Sequence, residues 1–370
     1  MFHIISLSLL IFCFFQTNVR AESSLQPSQL SGKAKVFNPD ISANFLGLLQ
    51  RGTKLSDDRR AAPYNGLSLQ EAEIQFTSDV DPYLRAVALF SLAQEASASK
   101  VSFGIDPEEV FLETIFLPSV TLRAGKFKMA LGKHNQLHSH AFPFLDSPLI
   151  LQQLLGDEGL NEVGVSAAAL LPLPWYSELV FQGFSLSNQD LYASPRSGDW
   201  GGLVHFKNLW DLSDDFTMEL GASGTGAKNI SDQTASVLGG DLTFKWRPAV
   251  GGKYQALIWS TEYLNGYRPG KVDSTTGESL ERLGGVAAWI QYQFAERWWV
   301  QGRYEYIGAP HAAALMTENK QSALIGFFPS EFSGFRLQYD RHTVQNQERA
   351  DHRVALQYNV SIGAHPAHAY

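Results

Sequence analysis

Cysteine is almost absent: of 370 residues only Cys13 is one. It sits in the apolar run Ile4 to Phe15, which has the length of a signal-peptide hydrophobic region. Asn18-Val19-Arg20-Ala21 puts small or β-branched residues at the −3 and −1 positions, so cleavage of an exported precursor is expected after Ala21. The n-region Met1-Phe2-His3 has no Lys or Arg, leaving the terminal amine as its positive charge. Phe12 is too large for the residue that precedes a lipidated cysteine, which argues against a lipoprotein. Removing residues 1–21 removes the cysteine, so the mature chain forms no intramolecular disulfide even in an oxidising compartment. A run of 18 or more apolar residues is also lacking, which excludes an inner-membrane helical protein. Long helical periodicity is scarce, unlike the alternating helices and strands of a typical soluble periplasmic protein. Positive charge is short as well. The formal charge of −8 becomes −9 without Arg20, with 28 basic residues against 37 acidic ones, and nucleic acid is excluded as a partner.

Glycine (31), phenylalanine (24), tyrosine (13) and tryptophan (8) are plentiful, as membrane interfaces select. The decisive pattern has period two. Val354, Leu356, Tyr358, Val360 and Ile362 alternate with Arg353, Gln357, Asn359 and Ser361, and only Ala355 breaks the polar face. The same alternation runs through 298–306 and 332–342. Further strands are expected near 319–328, 282–294, 253–263, 235–247, 215–225, 199–208, 175–186, 160–171, 118–127, 108–117, 82–92 and 68–79. Short connections alternate with long ones, the latter near 93–107, 128–159, 187–198, 226–234, 264–281, 308–318 and 343–352. An even strand count with both ends periplasmic requires one more strand, and Ile41 to Gln50 supplies it. The expected fold is all-β, a transmembrane antiparallel β-barrel of about sixteen strands, a size that leaves an aqueous channel. The expected organisation is a signal peptide (1–21), a periplasmic N-terminal segment (22–40) and an outer-membrane barrel (41–370). A soluble β-sandwich also alternates, but the export signal, missing cysteines and terminal aromatic together oppose it.

The strand before Tyr370 resembles the terminal aromatic signal by which the barrel assembly machinery recognises its clients, with Gly363 to Ala369 intervening. Val120-Thr121-Leu122-Arg123-Ala124-Gly125-Lys126-Phe127, followed by Gly132-Lys133, is similar to a strand of the phosphate-selective porin O and P family. Asn38-Pro39-Asp40-Ile41-Ser42 and Phe142-Pro143-Phe144-Leu145-Asp146-Ser147-Pro148 resemble related porin-like barrels, some of which carry the label of zinc-regulated TonB-dependent receptors. The resemblance implies passive diffusion of small hydrophilic solutes or ions. A TonB-dependent receptor needs a plug of more than about a hundred residues in a 22-stranded barrel, and about twenty residues precede the first expected strand. By analogy with porins, the partners are outer-membrane lipid and lipopolysaccharide, and the assembly is a homotrimer.

By analogy with porins, in which a long early loop folds into the lumen and narrows it, the longest loop, 128–159, is the candidate constriction, with His134, His138, His140 and Asp146 as its notable residues. His134, His138 and His140 are candidate ligands for Zn or Cu, with Asp146, Asp157 or Glu158 as further donors. His365 and His368 are weaker candidates. Pore-lining candidates are Arg123, Lys207, Lys245, Arg303, Glu305, Arg336, Asp340 and Arg353. Arg247, Glu113, Glu178, Glu219 and Asp241 share the inward assignment, so both signs line the wall and phosphate selectivity does not follow. Trp175, Tyr176, Trp246, Trp298, Trp299, Tyr263 and Tyr304 read as an interfacial girdle. No Gly-x-Ser-x-Gly nucleophile motif occurs, and no enzyme is expected. Two alternatives to the pore stay open: a zinc-binding or metal-uptake barrel, and a non-conducting structural or adhesion barrel.

Overall fold

A computed structural model describes residues 39–58, 63–97, 100–188, 191–194, 196–250, 252, 254–272, 279–310 and 317–363. The expected signal peptide, His365, His368 and Tyr370 lie outside the described residues.

Sixteen antiparallel strands form from the segments expected to alternate. They are β1 (Asp40–Gly52), β2 (Gly66–Asp79), β3 (Leu84–Ser97), β4 (Lys100–Thr114), β5 (Val120–Lys128), β6 (Asn161–Leu170), β7 (Tyr176–Phe184) and β8 (Gly201–Asp211). The second half comprises β9 (Phe216–Lys228), β10 (Thr234–Trp246), β11 (Ala256–Tyr267), β12 (Arg282–Ala295), β13 (Trp298–Ile307), β14 (Glu318–Ser330), β15 (Ser333–Val344) and β16 (Asp351–Gly363). Each strand pairs with its sequence neighbours, and β1 pairs with β16 from Ser42↔Gly363 to Gly52↔Arg353, which closes the barrel. Closure satisfies every ladder and leaves no edge, the requirement for a sheet that crosses lipid.

The alternation becomes two surfaces. On β15, Phe335, Leu337 and Tyr339 are exposed on the outside, while Arg336, Gln338 and Asp340 are buried within. At the end of the barrel that carries the short turns, aromatic rings pair across neighbouring strands: Trp298 with Phe327 at 4.7 Å, Phe335 with Tyr358 at 4.5 Å, and Tyr83 with Phe116 at 5.4 Å. Such a band is what a water–lipid boundary selects.

Two expected long connections are corrected. Residues 93–107 are mostly strand, because β3 and β4 remain paired up to Ser97↔Lys100. The β9–β10 connection shrinks to 229–233, since pairing continues to Thr234↔Lys228. Beyond the hydrocarbon nothing selects apolar residues on the outer face, so alternation fades while the backbone ladder continues.

Candidate functional site: an inward loop pinned across the lumen

After β5 the chain turns into the barrel and returns at β6. The neck is tied by Asn135, whose amide donates to Met129 O (2.7 Å) and Leu160 O (3.0 Å) while its oxygen accepts from Leu160 N (2.7 Å). Between these points lie two 3-10 turns (His134–Gln136 and Ser139–Ala141) and one short helix, α1 (Leu149–Leu155). The loop is secured to the inner wall at four places.

First, its opening turn docks on β7, β9 and β11. Ala130 N donates to Gln182 (2.8 Å), Gly132 N to Ser223 Oγ (2.8 Å) and Lys133 N to Glu262 Oε1 (2.9 Å). His134 Nδ1 lies 3.0 Å from Glu262 Oε2, with its ring edge-on to Trp289. Gly132 has φ +62°, the left-handed region that favours glycine, and a Cβ there would fall 1.9 Å from Glu262 Oε1 and push that carboxylate aside. Lys133 Nζ bonds Glu219 (3.0 Å) and Thr243 (3.0 Å).

Second, His138 and His140 meet a cluster of carboxylates on β2 and β4. His138 Nδ1 lies 3.0 Å from Glu108 and its Nε2 3.1 Å from Glu109, while His140 Nδ1 pairs with Glu73. Burial disfavours the charged imidazole of His138, but hydrogen bonds to Glu108 and Glu109 and their charges prevail, lifting its pKa from 6.5 to about 10.

Third, Asp146 is held by three cations of the facing wall. Arg303 reaches it at 2.6 Å, Lys320 at 2.5 Å and Arg353 at 2.8 Å. Burial alone would raise the Asp146 pKa, yet Lys320, Arg303 and Arg353 together hold it well below the ordinary 3.8. Around it, Arg336 donates to Phe142 O (2.6 Å), Leu145 N to Gln338 (3.0 Å) and Leu149 N to Glu305 (2.6 Å).

Fourth, α1 supplies apolar bulk. Ile150, Leu154 and Leu155 are fully buried against inward-facing Phe127, Phe184, Val237, Leu264, Leu283 and Ile307. The wall yields to the helix at Gly266, where a Cβ would approach Leu154 to 2.3 Å. Phe144 and Leu145 fill a second patch with Leu48, Ala287, Trp289, Leu324 and Ala355.

The expected pore-lining set is thereby divided. Arg303, Glu305, Arg336, Asp340 and Arg353 face inward, but they bind the loop or one another and are not free lumen charges. Lys207 pairs with Glu219 at 3.4 Å, and Arg123 pairs with Glu113 at 3.1 Å and lies over the Phe111 ring. Lys245 lies near Lys207 and Glu219 on the inner face of β10, half-buried. The expected histidine trio does not assemble, because Glu262 on β11 holds His134 while β2 and β4 hold the other two. Asp146 is likewise corrected as a metal ligand: three neighbouring cations occupy its oxygens. Sequence reasoning missed Glu73, Glu108, Glu109 and Glu262; Glu71 and Glu73 at alternate positions of one strand were the available signal.

No protein-family model matches the chain. A protein of Aquifex aeolicus (strain VF5) without assigned function is 26% identical over 393 residues, spanning 91% of this chain and 81% of the relative. Among solved structures, a loop-deletion mutant of OmpT, an outer membrane protein of Vibrio cholerae, aligns with TM-score 0.57 at 8% identity, covering 88% of this chain and 99% of that one. The outer membrane channel DcaP of Acinetobacter baumannii aligns at 0.56 with 11% identity, covering 90% and 99%. An anion-selective porin from Comamonas acidovorans aligns at 0.53 with 10% identity, covering 88% and 98%. The fold is therefore the closed antiparallel barrel of the outer-membrane porins.

Proposed function

We propose that the chain is an outer-membrane channel for passive diffusion of small hydrophilic solutes or ions, exported by the signal peptide expected at 1–21. The observation that carries this reading is the loop of residues 129–160, which crosses a barrel of porin size and is fastened to the far wall through Asp146. An apolar exterior with a polar, hydrated interior is the arrangement of a transmembrane pore. The structures it resembles include an outer membrane channel and an anion-selective porin. Selectivity for phosphate is not supported, because Lys207, Lys245 and Arg123 share the lumen with Glu219, Glu113 and Asp241.

Planar-bilayer recording of the refolded protein tests the proposal. Stepwise conductance smaller than that of a barrel with an unobstructed lumen is expected, since the loop removes cross-section. A folded, inserted barrel that passes no current would refute it.

A further inference from the structure

The geometry points to a divalent-metal site formed by Glu73, Glu108, His138 and His140, clamping the constriction loop to β2 and β4. Donor atoms of Glu73, Glu108 and His138 all lie within 4.8 Å of one another, and His140 Nδ1 contacts the same Glu73 carboxylate. Two imidazoles with two carboxylates are a donor set suited to a borderline ion such as Zn²⁺. His138 carries the accompanying orientation. Its Nδ1 faces Glu73 and Glu108, at 4.0 and 3.0 Å, while Nε2 lies 3.1 Å from Glu109. A carboxylate on the ring nitrogen that does not bind metal is the usual partner of a ligating histidine, fixing ring plane and tautomer.

Charge points the same way. Glu71, Glu73, Glu108 and Glu109 converge here, with Lys128 lying 2.9 Å from Glu108 Oε1. Glu108 Oε2 is buried and accepts no hydrogen bond, so its lone pairs are unused. Buried carboxylates need compensating positive charge, and a divalent ion bound here would supply it. The site is independent of conduction, since a non-conducting barrel with these side chains would bind equally.

Zn²⁺ titration of the refolded, chelator-stripped protein in detergent, with a chromophoric chelator as competitor, tests the assignment. One equivalent bound at micromolar affinity or tighter is expected, weakened at least about tenfold by either Glu108→Gln or His138→Ala. His134→Ala is expected to leave affinity unchanged, because that residue belongs to Glu262. Co²⁺ substitution in the unmutated protein gives a readout that needs no variant, with tetrahedral d–d bands expected between about 500 and 700 nm. Absence of stoichiometric binding, or binding that Glu108→Gln and His138→Ala leave intact in folded protein, overturns the proposal.

Discussion

Replacing Asp146 by Asn keeps the shape of the side chain and removes the charge that three wall cations share. In the native barrel Arg303, Lys320 and Arg353 are balanced by Asp146, Glu305 and Asp340. The variant leaves one positive charge over, in a place where Arg303 is wholly buried and Lys320 nearly so. Breaking a buried ion pair by deleting one partner costs roughly 3–5 kcal/mol, and the 19% exposure of Asp146 favours the lower end. At about 1.4 kcal/mol per decade, the ratio of released to docked loop tip rises by roughly 10² or more. The neck at Asn135 and the apolar seat of α1 are untouched, so release is confined to the region of Asp146. Single-channel conductance in planar bilayers should therefore increase, and the reversal potential in a KCl gradient should move toward that of chloride. A folded Asp146→Asn barrel with native conductance and native reversal potential would refute the idea that this residue pins the constriction.

Acidity supplies a second check. A carboxylate held below its ordinary 3.8 stabilises the docked loop at every pH above that value, and the contribution fades only as pH falls through the depressed value. The conductance difference between native protein and Asp146→Asn should thus be as large at about pH 4.5 as at about pH 7, and a difference that collapses between them contradicts the assignment. Gly132→Ala forces an alanine into a left-handed conformation at about 1–2 kcal/mol and displaces Glu262 from Lys133 N and His134. Adding the lost charged hydrogen bond, about 3 kcal/mol of loop anchoring should go, read as a lower unfolding temperature of the unboiled barrel on gels. An unchanged temperature would show that the glycine is dispensable.

Barrel class, strand number and parity were legible because lipid outside and water inside impose opposite demands on successive side chains. The loop's inward course follows from its length only together with the analogy to porins. Its docking positions were not read, although one trace was visible: Ala355, the apolar break in an otherwise polar face, lies under Phe144 and Leu145. Leu48, Ala287, Trp289 and Leu324 are further inward-facing apolar residues in the same patch. Apolar residues on the lumen side mark where another part of the chain keeps water away. The carboxylates that receive the histidines were hidden for a different reason. Glu73 and Glu108 come from separate strands, β2 and β4, and meet His138 only because the loop after β5 folds back into the barrel, a juxtaposition no local pattern encodes.

The loop that carries Asp146 joins β5 to β6, yet its partners Arg303, Lys320 and Arg353 lie 157, 174 and 207 residues further along. Those cations sit on β13, β14 and β16, so the latch needs strands from both halves of the chain in one wall. Whichever half of the wall is placed first, the loop stays unseated until the other half joins it, so its docking is a late event by topology. Seating of the constriction thus reports that both halves of the wall are in place: a barrel without β16 lacks Arg353 and holds an incomplete latch.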